Sequence, residues 1–132
     1  MVSLQRLVVI GIAVVLVFDT VASLASLSFG FPYQNATIGS MVIYCALGYF
    51  AFRLGGIAAV LKAAILVELV EVFVGWPISW FMGPGALPEG QRTPAVMAAS
   101  VVVIFLLALF SALGGAGLAR LFHGPRGAPG VS

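Results

Sequence analysis

The chain has 132 residues, 62% of them hydrophobic and 8% charged, with a net charge of +2 and a mean hydropathy of +1.20. A soluble domain of this size keeps too much of its surface wet to hide that much apolar material, so lipid is expected to solvate most of the chain. The small charge bias excludes nucleic acid as a partner. One cysteine, Cys45, excludes an intramolecular disulfide and argues against a thiolate metal site. One histidine, His123, excludes histidine-rich metal sites and paired-histidine haem ligation, so no metal or other cofactor is expected.

A helix needs about 20 mostly apolar residues to cross a bilayer, and the length leaves room for four such spans joined by short loops. The expected architecture is all-α: an integral membrane four-helix bundle over residues 1–122, with spans at about 7–29, 36–52, 57–82 and 94–120. The first span opens as LVVIGIAVVLVFDTVASLASL behind Arg6 and carries Asp19, Thr20 and Ser23. The same stretch admits a rival reading as a secretory signal: Arg6, an apolar core from Leu7 to Phe18, and SLAS at residues 23–26 with cleavage after Ala25. Apolar residues continue past Asp19, which favours a span. The connector SFGFPYQNAT suits an interfacial turn, and Asn35 or Thr37 is expected to cap the second helix. That helix ends at Arg53, where RLGG reads as a tight turn.

The third span carries Lys62, Glu68, Glu71 and Pro77, the last expected to kink its far end. GPGALPEGQR is a loop by composition, and Thr93 and Pro94 read as N-cap and first residue of the fourth helix. No charge interrupts residues 94–119. The last ten residues, HGPRGAPGVS at 123–132, are Gly/Pro-rich and read as a disordered cytoplasmic tail.

Basic residues set the orientation. With both termini cytoplasmic, Arg6, Arg53, Lys62, Arg120 and Arg126 fall on the inner side and only Arg92 on the outer. A multi-pass protein of the cell's inner (plasma) membrane is the expectation, with Trp76 and Trp80 near the outer interface.

The anomaly is acidic. Glu68 and Glu71 stand three residues apart on one helix face, shared with Ala64 and Gly75. Leu66, Leu69, Phe73 and Trp76 form the opposite, apolar stripe. Glu68 and Glu71 lie roughly 17 and 21 Å from Ile57 along the helix, and Asp19 about 20 Å from Arg6. All three carboxylates, and Tyr44 on the second helix, are therefore expected at one depth, near the middle of a ~30 Å core. Lys62 lies on another face, from which its ammonium can snorkel outward. Isolated ions at mid-bilayer cost several kcal/mol, and close like charges oppose one another's ionisation. The group must therefore be protonated, solvated in a polar cavity, or occupied by a cation.

Asp19, Glu68 and Glu71 are accordingly the expected proton- or cation-binding residues, with Thr20, Ser23 and Tyr44 as polar support. The alternative is structural: acids that only hydrogen-bond neighbouring helices, or that meet basic residues of a partner in a larger membrane complex. Small residues at four-residue spacing, Ala108, Ala112 and Ala116 beside Ser111, Gly115 and Ala119, form a packing stripe. It reads first as packing within one chain and otherwise as a homodimer seam. An enzyme is not expected, because no Ser or Cys nucleophile with a His base is available at membrane depth.

Residues 19–51, with an acid on helix one, a GF turn and IG….YCA on helix two, resemble the small multidrug resistance family. The resemblance implies a compact four-helix exporter that dimerises and exchanges protons for a cationic substrate, with Asp19 as the exchanging carboxylate and Tyr44 nearby. Asp19 stands where that family has Glu, and Glu68 and Glu71 depart from its third helix.

Overall fold

A computed structural model of the chain describes residues 2–124. Among the described residues the protein is helical, with no strand. Helix α1 spans Leu4–Phe29, with the Ser3 hydroxyl accepting the Arg6 N–H at its start. A 3₁₀ turn, Tyr33–Asn35, runs directly into α2, Ala36–Val70. The entry into α2 differs from the expected side-chain cap: Asn35 is itself helical and makes no capping bond, while the Ala36 N–H is taken by the Tyr33 carbonyl. The turn satisfies the free N–H groups that a cap would otherwise serve.

The chain reverses inside α2. Gly55 (φ −164°, ψ 23°) and Gly56 (φ 68°, ψ −158°) are non-helical, and the positive φ of Gly56 is open to glycine at little cost. The Tyr44 hydroxyl reaches Glu71, 27 residues on, a pair that an unbroken helix would hold about 40 Å apart. The first arm of α2 is thus residues 36–54 and the second 57–70.

The second arm continues through a π-helical turn, Glu71–Gly75, into α3, Trp76–Met82. Proline explains the turn. Pro77 has no N–H for the Phe73 carbonyl, and its ring crowds that oxygen. The chain widens by one residue, and the Trp76 N–H bonds the Glu71 carbonyl five residues back. A second 3₁₀ turn, Glu89–Gln91, precedes α4, Pro94–His123, which opens with Thr93 as N-cap accepting the Val96 N–H. Helix α4 therefore runs to His123, three residues past 120, and the rest of the expected tail from residue 125 lies outside the described residues.

Neighbouring residues fix the helix directions. Gly11 faces Leu47 and Gly39 faces Phe18, so α1 and the first arm are antiparallel. Gly11 also faces Val67 and Gly75 faces Asp19, so the second arm and its continuation run parallel to α1. Gly48 meets Ala112, and Tyr49 meets His123, so α4 runs parallel to the first arm. Arg6, Arg53 and Arg120 gather at one end of the molecule. The 30–35 connector and the 83–93 loop, with Arg92, form the other.

The core at the basic end is apolar and built largely from small residues: Ala51, Ala63, Ala64, Ala112 and Ala116 pack with Leu7, Val15, Leu47, Val60 and Val67. A methyl group on Gly48 would strike the Ala112 carbonyl, and one on Gly115 the Cys45 carbonyl. Helices approach backbone to backbone here, as small residues permit in lipid. The stripe of Ala108, Ala112, Gly115, Ala116 and Ala119 is buried against the first arm within this one chain. Ser111 sits at its edge and donates to the Leu107 carbonyl.

The outward surface is apolar. Val17, Ile38, Phe73, Phe81, Phe110 and Leu121 are all more than 60% exposed, far beyond the patches that soluble monomers present. Two helices, Leu4–Phe29 and Pro94–His123, are long and apolar enough to cross a membrane.

Candidate functional site

The close packing gives way at one level. In the stripe of α4 that reads Ala116, Ala112, Ala108, the next residue is Ile104. On the first arm, Gly48 is followed toward the connector end by Tyr44 and Met41. Bulk at these positions keeps the backbones apart, and a cavity of about 560 Å³ opens between them. Its length along α4, from Ala108 to Val96, is about 18 Å. At the connector end Gln34 and Leu87 line it.

Asp19, Tyr44, Glu68 and Glu71 all line this cavity. Three elements bring them together: α1 supplies Asp19, the first arm Tyr44, and the second arm with its π turn the two glutamates. Tyr44, 2% exposed, donates its O–H to Glu71 Oε2 at 2.6 Å. Glu68 is 1% exposed, and neither of its oxygens has a hydrogen-bond partner. Among the described residues no Lys, Arg or His lines the cavity; Lys62 is exposed on the outer face of the second arm. Unpartnered polar groups in a dry interior cost several kcal/mol, so Glu68 is the least satisfied group in this region. Among the described residues no three ligating side chains converge as a metal site.

Two expected supporting residues stand apart from the cavity. The Thr20 hydroxyl donates to the Leu16 carbonyl of its own helix at 2.8 Å. Ser23 is fully buried with its hydroxyl unpartnered, one turn beyond Asp19. The π turn changes another placement. Trp76, expected on the apolar stripe with Leu66, Leu69 and Phe73, instead lines the cavity and donates its indole N–H to the Gly85 carbonyl at 3.1 Å. One extra residue per turn rotates everything after it, which carries Trp76 onto the glutamate face.

The wall also holds polar residues that the carboxylate pattern did not point to: Tyr33, Gln34, Thr37, Ser40 and Ser100. Tyr33, Thr37, Ser40 and Tyr44 recur at helical spacing along one face, a signal present in the sequence. Tyr33 belongs to the connector rather than to a lipid-facing belt, and burial pushes its phenol above the usual range, keeping it a neutral donor. Beside the cavity-lining Leu87, the Arg92 guanidinium lies 5.4 Å from the Trp80 ring centre and donates to the Leu87 carbonyl.

Comparison with known proteins adds no family: no family model matches the chain, nor does any curated protein or solved structure. The likeness of residues 19–51 to small multidrug exporters rests on those residues alone. What the molecule defines is an all-helical protein with membrane-length apolar helices and a carboxylate-floored cavity.

Proposed function

We propose that this is a multi-pass inner-membrane protein, a four-helix bundle with both termini cytoplasmic, that carries out proton- or cation-linked transport or ion binding at Asp19, Glu68 and Glu71. The observation that carries the reading is Glu68, 1% exposed and without a hydrogen-bond partner, on the floor of a cavity shared with two further acids. A group so placed is stabilised by holding a proton, while Asp19 and Glu71 on the same cavity can meet a cation that arrives through it. Arg6, Arg53 and Arg120 at the opposite end support an inward-facing basic end, so the cavity opens outward. The polar stripe Tyr33–Thr37–Ser40–Tyr44 offers a hydrated path down one wall.

Reconstitution into liposomes with an internal pH dye tests this. Wild-type protein should carry proton-coupled flux, and Glu68→Gln and Asp19→Asn should fold normally and lose it. Full flux in both variants rejects the site.

A second reading, a non-catalytic subunit whose acids meet a partner's basic residues, draws on α4. Residues 94–99 are all exposed, leaving the cavity's far wall uncovered on its outer side. Co-purification with a larger complex, and loss of that assembly in Glu68→Gln or Glu71→Gln, would favour it over transport.

A further inference from the structure

We propose that Tyr44 is the proton route to Glu68: protons leave this sealed carboxyl group through the Tyr44 hydroxyl, then Glu71, and so reach the cavity. This rests on the reading of the site as one that exchanges protons, and it adds the sequence in which its groups act.

The two glutamates differ in access. Glu71 is half-buried on the cavity wall. Both oxygens of Glu68 are shut off from solvent, although it lies one turn away on the same face. Tyr44 stands across from both. Its one donor hydrogen is committed to Glu71 Oε2, and its oxygen keeps lone pairs able to accept. Glu68 lines the same cavity as that hydroxyl, one helical turn from Glu71. Glu68 in its acid form has a proton to give and, among the described residues, no partner to take it. Donation to the Tyr44 oxygen completes a chain from Glu68 through Tyr44 to Glu71.

The transfer balances within that chain. The Glu68 O–H bond breaks as its proton binds the Tyr44 oxygen. The original Tyr44 O–H bond breaks as that proton binds Glu71. Tyr44 ends neutral, Glu68 becomes a carboxylate and Glu71 an acid, with nothing oxidised or reduced. Reversal of the steps reloads Glu68. The other titratable groups on the cavity are Asp19 from α1 and Tyr33 from the connector, while α4 contributes none. No cation is therefore placed to hold the negative charge on Glu68, and the proton returns by the same path. Ser23, the other residue with a buried unpartnered polar atom, is not among the residues that line the cavity.

Infrared spectroscopy of the protein in lipid vesicles tests the route. The protonated-carboxyl band that disappears in Glu68→Gln belongs to Glu68, and its shift in D₂O times proton exchange at that residue. In Tyr44→Phe, exchange at Glu68 should slow on the order of a hundredfold, the contribution of one positioned proton-transfer group. A purely structural hydroxyl would do the opposite, since its loss loosens the contact between the arms and speeds exchange. Should Tyr44→Phe fail to fold, Glu71→Gln removes the outer acceptor and should slow Glu68 in the same way. An unchanged Glu68 rate in the folded variant, or the absence of any band sensitive to Glu68→Gln, overturns the proposal. Ordered exchange without flux would reject transport and keep the relay, and flux with a Tyr44-independent Glu68 would do the reverse.

Discussion

The basic end and the connector end of this molecule are made from the same helices, packed in opposite ways. Toward the basic end, Gly48, Ala112 and Gly115 let the first arm of α2 and α4 touch backbone to backbone. Toward the connectors, Tyr44, Met41 and Ile104 hold the same two helices apart around about 560 Å³ of space. Residue volume at three or four positions decides whether a pair of membrane-length helices makes a seal or a site. The first half should therefore be sensitive to added volume, and the second to changed chemistry.

The largest effect is expected at the seal. Gly48→Val and Gly115→Val should each destabilise the protein by about 3 kcal/mol, the upper range for overpacking a close contact, read as a lowered midpoint of denaturant unfolding in mixed micelles. Gly114→Ala and Gly117→Ala, where an added methyl meets nothing within 4 Å, should be neutral or stabilise by up to about 1 kcal/mol. Equal losses at all four positions would erase the distinction between the packed and the outward side of α4.

The cavity floor should behave in reverse. Glu68→Leu removes an unsatisfied polar group and should leave stability unchanged or raise it by about 1 kcal/mol, while abolishing flux in liposomes. A large loss of stability would instead mark Glu68 as a packing residue. Ser100→Phe places a ring in the cavity. It should fold within about 0.5 kcal/mol of wild type and reduce flux, because it occupies space and breaks no contact between side chains. The smallest change is at the basic end's surface. Tyr49→Phe loses a long, exposed 3.4 Å contact with His123 and should shift stability by no more than about 0.5 kcal/mol.

Much of this division could be read from residue types. The small-residue spacing from Ala108 to Ala119 pointed to close packing, and the structure shows its partner to be the first arm of α2. Counting residues along straight helices placed Asp19, Tyr44, Glu68 and Glu71 at one depth, and the structure gathers all four around one cavity. The RLGG turn became the reversal at Gly55–Gly56. Trp76 departs from the apolar stripe because the helix takes up Pro77 in a π turn, which breaks the 3.6-residue periodicity at that point. The π turn absorbs the proline by adding a residue, and a count at 3.6 residues per turn cannot register that. Thr20 and Ser23 were grouped with Asp19 by adjacency in sequence, but neither lines the cavity, and Thr20 bonds its own helix. The polar stripe from Tyr33 to Tyr44 is present in the sequence at helical spacing, but hydroxyls do not stand out in an apolar segment as charges do.

Directional access to the floor of the cavity can be measured with thiol labelling. In a Cys45→Ala background, Ser40→Cys and Ser100→Cys lie on the cavity wall, and Ala64→Cys lies in the sealed core. With a water-soluble, membrane-impermeant thiol reagent, the first two should react from the side bearing the 30–35 connector and stay inert from the basic side, and Ala64→Cys should react from neither. Labelling of Ser40→Cys from the basic side, or of Ala64→Cys from either side, would contradict a cavity sealed at one end.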